Sequence, residues 1–110
     1  MVANARSRDD GRMTKGYWIF QTTVTDPETY KKYVARDGAA FAKYGARFLV
    51  RGGQFVVAEG ASRQRHVVIE FESYATAKAC FHSPEYQEAS AFRRAGAVTD
   101  LVIVEGNPAD

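Results

Sequence analysis

Two short triplets, Asp26-Pro27-Glu28 and Ser83-Pro84-Glu85, constrain this chain more than any other feature. In each, a side chain able to accept from unpaired helix N–H groups precedes a proline at the first helical position and an acid in the positively polarised first turn. Each therefore starts a helix, and whatever precedes it must end there. Before Asp26 lies GYWIFQTTV (Gly16 to Val24), dense in aromatic and β-branched residues, which reads as a strand. Trp18, Phe20, Thr22 and Val24 form its more apolar face, and Tyr17, Ile19, Gln21 and Thr23 the other. After Asp26 the period becomes helical. Tyr30, Tyr33, Val34, Asp37, Phe41 and Tyr44 share one stripe, expected to be buried, and Gly45 supplies the C-terminal cap.

Ala46 to Val50 reads as a second strand. Gly52-Gly53 then admits two geometries: a two-residue turn making a hairpin with Phe55 to Glu59, which is the favoured one, or a glycine bulge that kinks one long strand and re-aims Arg51. Beyond a polar turn, His66 to Glu72 alternates cleanly, with Val67, Ile69 and Phe71 on one face and His66, Val68, Glu70 and Glu72 on the other. Ser73 caps a helix carrying Tyr74, Ala77, Cys80 and Phe81. Ser83-Pro84 breaks it, and a new helix carries Tyr86, Ala89, Ser90, Phe92 and Arg93 as far as Gly96. Val98 to Val104 is the last strand. This order is the split βαβ, ferredoxin-like pattern: an α+β sandwich with helices on one face of an antiparallel sheet. Several strands are apolar on both faces, so the bare face is an expected association surface. A second subunit's sheet, related by two-fold symmetry, would cover it and make a homodimer.

Composition narrows the function classes. A chain of 110 residues supports one domain. Residues 1 to 14 are polar, aperiodic and free of aromatics, which predicts a disordered tail ahead of a single domain at 15 to 110; translation could start at Met1 or at Met13. The net charge of +2 arises in the first 15 residues, where four basic side chains outnumber two acids. The remainder carries eleven of each sign, so no nucleic-acid groove is implied. With one cysteine, Cys80, no intrachain disulfide can form, and a reducing, cytoplasmic setting is expected. Cys80, His66 and His82 match no metal spacing, and no apolar run is long enough to span a membrane.

Lys15-Gly16-Tyr17-Trp18-Ile19, Asp26-Pro27, Tyr30 with Tyr33, Tyr44-Gly45, Arg51-Gly52-Gly53, Glu59-Gly60, Glu70-Phe71, Ser83-Pro84-Glu85-Tyr86, Arg93 and Glu105-Gly106 together resemble the domain-of-unknown-function family 1330, over residues 15 to 106. The resemblance implies membership of the dimeric α/β-barrel group, in which two ferredoxin-like subunits pack sheet to sheet. Its wider relatives include cofactor-independent monooxygenases, muconolactone isomerase-like enzymes and haem-binding proteins, an analogy at the level of fold.

The candidate site residues lie between Arg51 and Phe71, with two tyrosines from elsewhere. Arg51 precedes Gly52 and Gly53, so a ligand carboxylate could meet its guanidinium and the exposed loop N–H groups; the competing reading is a salt bridge to Glu59 or Glu70. Glu70 sits mid-strand between Ile69 and Phe71, where a buried carboxylate could act as a general base or hold an ion pair across subunits. His66 shares its strand face but lies roughly 13 Å along the strand, too far for a dyad. Tyr17, Tyr33, Tyr86 and Trp18 could line a pocket between helices and sheet. Ser83 is a cap rather than a nucleophile. These residues suggest a small-molecule protein, with no cofactor called for: an enzyme on an acidic or aromatic metabolite, or a non-catalytic dimeric binding or structural module.

Overall fold

The computed structural model describes residues 14–108; residues 1–13 of the expected tail, with the Met13 start, lie outside the described residues, while Thr14 Oγ1 donates to Glu105 Oε2 at 2.8 Å. The chain runs β1 (Gly16–Val24), α1 (Pro27–Lys43), β2 (Arg47–Arg51), β3 (Arg65–Phe71), α2 (Tyr74–His82), α3 (Pro84–Gly96) and β4 (Ala97–Glu105). Each helix starts at the expected cap. Asp26 accepts from the Thr29 N–H at 3.3 Å and Ser73 from the Thr76 N–H at 3.0 Å. Ser83 serves two helices at once: its Oγ accepts from the Tyr86 N–H at 3.1 Å and donates to the Cys80 carbonyl at 2.7 Å.

The four strands form one antiparallel sheet in the order β2-β3-β1-β4. Its helix-facing side holds the core. Trp18 is the hub, ringed by Tyr86, Phe41, Phe71 and Phe81 at centroid distances of 4.7, 5.4, 5.4 and 5.8 Å. The indole Nε1 donates to the Ala77 carbonyl at 2.8 Å, so the buried polar atom is satisfied. Gly16 lets β1 pass α2 closely, since a Cβ there would stand 2.6 Å from Tyr74 Cα. The two ends of the domain meet beside each other, where the Gly106 N–H donates to the Lys15 carbonyl at 2.7 Å.

The expected α/β barrel is corrected. The sheet is open, with β2 and β4 as its two edges, because the ladder runs out at both strands instead of closing on itself. Val34, placed in the buried stripe of α1, is exposed, while Tyr33, Asp37, Ala40 and Phe41 are buried.

The favoured hairpin at Gly52-Gly53 is also corrected. Phe55 to Glu59 form no strand, and the chain from Gly53 to Gln64 is a long excursion before β3. A bulge does occur, but at Leu49: Phe48 pairs with Ile69, and the next paired residue, Val50, faces Val68. Cross-strand partners share a face. A regular ladder would put Phe48 and Arg51 on opposite faces, three residues apart. The extra residue restores Arg51 to the helix-facing side, opposite the buried Val67.

Candidate functional site

The buried stripes of α1 and α3 meet in a polar cluster inside the helix layer. The Tyr33 and Tyr86 hydroxyls lie 2.9 Å apart, and Arg93 Nε donates to Tyr86 Oη at 3.2 Å. The Arg93 guanidinium stands 5.9 Å from the centre of the Tyr33 ring. Arg93 and Asp37, one turn beyond Tyr33 on α1, are each only 6% exposed. Neither belongs to an ion pair among the described residues. A buried carboxyl without such a partner resists ionisation. Burial accordingly pushes the Asp37 pKa from 3.8 up to about 6, and the Arg51 charge opposes that rise.

Arg51 reaches this side of the sheet through the bulge, its guanidinium 4.1 Å from the centre of the Phe48 ring. Arg65 joins it there, opposite the buried Thr22, with its Nε buried and without a hydrogen-bond partner. Arg65 also packs against Gly52, whose φ of 71° and lack of Cβ leave space for the guanidinium. The helix-facing side thus carries arginines from β2, β3 and α3 with Asp37 as a carboxyl of near-neutral pKa. Burial raises the Tyr33 phenol well above its usual range, and the neighbouring Tyr86 adds to the effect. Tyr86 is raised by burial too, with Arg93 pulling the other way. Such a group can hold an anion and exchange a proton near neutral pH.

The sequence-derived candidates divide between the two sides of the sheet. Arg51, Gly52 and Tyr86 belong to the helix side. Glu70, Tyr17 and His66 lie on the open face, and Gly53 is in the exposed excursion. A shared pocket of Tyr17 with Tyr33 and Tyr86 is therefore corrected, because alternation along β1 sends Tyr17 away from the helices. Tyr17 Oη donates to Glu70 Oε2 at 3.2 Å, and Arg47 Nη1 stands 3.8 Å from Glu70 Oε1. The pairing of Glu70 is thus with Arg47, across the sheet. Desolvation, then Glu70, raises the Tyr17 phenol. His66 Nε2 meets Ser62 Oγ at 2.6 Å, and its ring lies tilted against Phe55 with centroids 4.4 Å apart.

Asp37 and Arg93 are the residues that sequence reasoning passed over as site members. Both stood on stripes already identified as buried, and a charged residue among aromatics on such a stripe is the signal that could have found them.

The fold defines an open-sheeted, ferredoxin-like α+β protein with a polar cluster under its helices. A family model described as "Domain of unknown function (DUF1330)" matches residues 15–107, and the chain belongs to that family. No curated protein matches the sequence. Among solved structures, it is similar to a protein of unknown function from Rhodopseudomonas palustris, with a TM-score of 0.69, 19% identity and coverage of 94% of this chain and 90% of that one. It is also similar to SnoaB, a cofactor-independent oxygenase from Streptomyces nogalater (TM-score 0.58, 13% identity, 86% and 94% covered). A dimeric ferredoxin-like protein of unknown function from Thermobifida fusca aligns with a TM-score of 0.50 and 15% identity, over 84% and 90% of the two chains. At these identities the likeness shows the fold. Among the described residues no helix is long and apolar enough to cross a membrane.

Proposed function

We propose that this chain is a small homodimeric protein whose helix-side cluster binds an acidic or aromatic metabolite and acts on it without a cofactor. Arg51 and Arg93 hold the anionic group, Tyr33 and Tyr86 orient the ring, and Asp37 exchanges a proton with the substrate. The observation that carries this reading is Asp37: a carboxyl 6% exposed, outside any ion pair among the described residues, with a pKa near 6. Stability alone gives no reason to keep such a group. The activity of SnoaB and the dimeric state of the Thermobifida protein lend analogy at the level of fold. Homodimerisation would use the open face, where Ile19, Val98, Val102 and Val104 are exposed.

A second reading is a non-catalytic binding or structural module, favoured by the commitment of Glu70 to Tyr17 and Arg47. Glu70 as the proton-handling group remains the rival assignment within the first. Trp18, the sole tryptophan, touches Tyr86 edge to face and so reports on the site by fluorescence. Titration with benzoate and hydroxybenzoates is expected to give a saturable change, weakened about tenfold or more in Arg93→Gln. The pH dependence centred near 6 should vanish in Asp37→Asn and persist in Glu70→Gln. The reverse pattern would move the proton to Glu70. Absence of any saturable response, with no co-purifying mass in native mass spectrometry, would leave the non-catalytic module.

A further inference from the structure

The arginines on the two sides of the sheet are provided for differently. On the open face Arg47 stands 3.8 Å from Glu70 Oε1 although its side chain is 76% exposed, and Arg63 Nε meets Asp100 Oδ2 at 2.7 Å. Water would serve an exposed guanidinium nearly as well as a carboxylate does. On the helix side the need is greater and the pairing is missing. Among the described residues Arg51, Arg65 and Arg93 belong to no ion pair. Arg93 is buried, and Arg65 Nε is shut off from water with no acceptor. A guanidinium nitrogen withdrawn from water without an acceptor is costly, and the buried carboxyl on this side, Asp37, resists the charge that would offset three cations.

Register fixes where Arg65 stands. Arg51 is opposite Val67, and Arg65 comes two residues earlier on β3, so the two arginines are diagonal neighbours on one face of the sheet. Like charges that near repel unless an anion lies between or beside them. The two guanidiniums nevertheless rest at different points along β2: Arg51 over the Phe48 ring at 4.1 Å, and Arg65 against Gly52, where a β-carbon would collide with it. One anionic group beside Asp37 accounts for Arg51 and Arg93 and leaves Arg65 over. We infer, resting on the helix-side site proposed above, that the ligand carries two anionic groups and that Arg65 receives the second. The substrate class is then a small dicarboxylate, with both groups on one ring or one short chain, since diagonal neighbours on adjacent strands lie only about 7 to 8 Å apart. Arg65 is the residue that separates such a ligand from a monocarboxylate of the same shape.

Trp18 fluorescence on the full chain tests this, titrated with benzoate and with phthalate, isophthalate and terephthalate, each beside its monomethyl ester. The esters keep the ring and one carboxylate and lose one charge. At least one of the dicarboxylates is expected to bind about tenfold or more tightly than its ester in the parent chain. In Arg65→Gln that advantage should shrink to within about twofold, and in Arg65→Lys, which keeps the charge but gives up the planar fork, part of it should return. The ester comparison needs no variant, so it decides the matter even where Arg65→Gln fails to fold. Saturable binding of benzoate with no dicarboxylate gaining over its ester overturns the inference and leaves the helix-side site standing. An advantage that Arg65→Gln leaves unmoved overturns it too, because the second group then sits elsewhere. No saturable response to any of these acids removes the site and the inference together.

Discussion

At position 37 the chain carries a carboxyl on a stripe otherwise filled by Tyr33, Ala40 and Phe41, and the choice has a cost that can be measured. Because the folded pKa is about 6 against an ordinary 3.8, the folded chain retains a proton between those values that the unfolded chain has released. Stability from this source is fully present below pH 3.8, falls as the pH rises towards 6, and stays reduced above it. The loss is on the order of 3 kcal/mol. Asp37→Asn should abolish that slope and unfold at higher urea than the parent at pH 7 to 8, a comparison that urea titrations at several pH values make directly. An Asp37→Asn protein that keeps the slope would place the titrating group elsewhere. Asp37 stood in the sequence on a stripe expected to be buried, yet its charge there was passed over. Arg51 was singled out as a candidate, yet the side of the sheet it serves was not legible, since that depends on one extra residue in β2.

Elements that begin with strong local chemistry were read with the right boundaries. Asp26-Pro27-Glu28 and Ser83-Pro84-Glu85 start helices because the cap and the proline act within four residues, whatever the rest of the chain does. Strand geometry carries no such local code. The bulge at Leu49 and the absence of a hairpin at Gly52-Gly53 are decided by which residues β3 offers as partners, and no dipeptide encodes that. Ser83 is the place to test the local code. Its hydroxyl caps α3 and closes α2, so Ser83→Ala removes two hydrogen bonds and should cost about 1 to 2 kcal/mol in chemical denaturation. A loss within a few tenths of zero would show that Pro84 alone fixes the junction.

For the whole molecule, alternation along β1 and β4 revealed an apolar open face, and the structure leaves Ile19, Val98, Val102 and Val104 exposed there. Whether a sheet closes is a property of its edges, and here they stay apart, which is why two-faced strands could suggest a barrel that the chain does not form. Val102→Asp should leave the secondary structure intact and shift the sedimentation profile to monomer, while a dimer that tolerates it would remove the open face from the interface. The hydrogen bond from Gly106 to Lys15 has a different consequence. Because β1 and β4 start and finish the domain side by side, a few residues of linker would join position 106 to position 15. The chain could then be reopened inside 53–60, yielding a circular permutant with every helix and strand in its present place. Such a rewired molecule should fold as the parent does, so that the order of the elements along the chain could be separated from their arrangement in space.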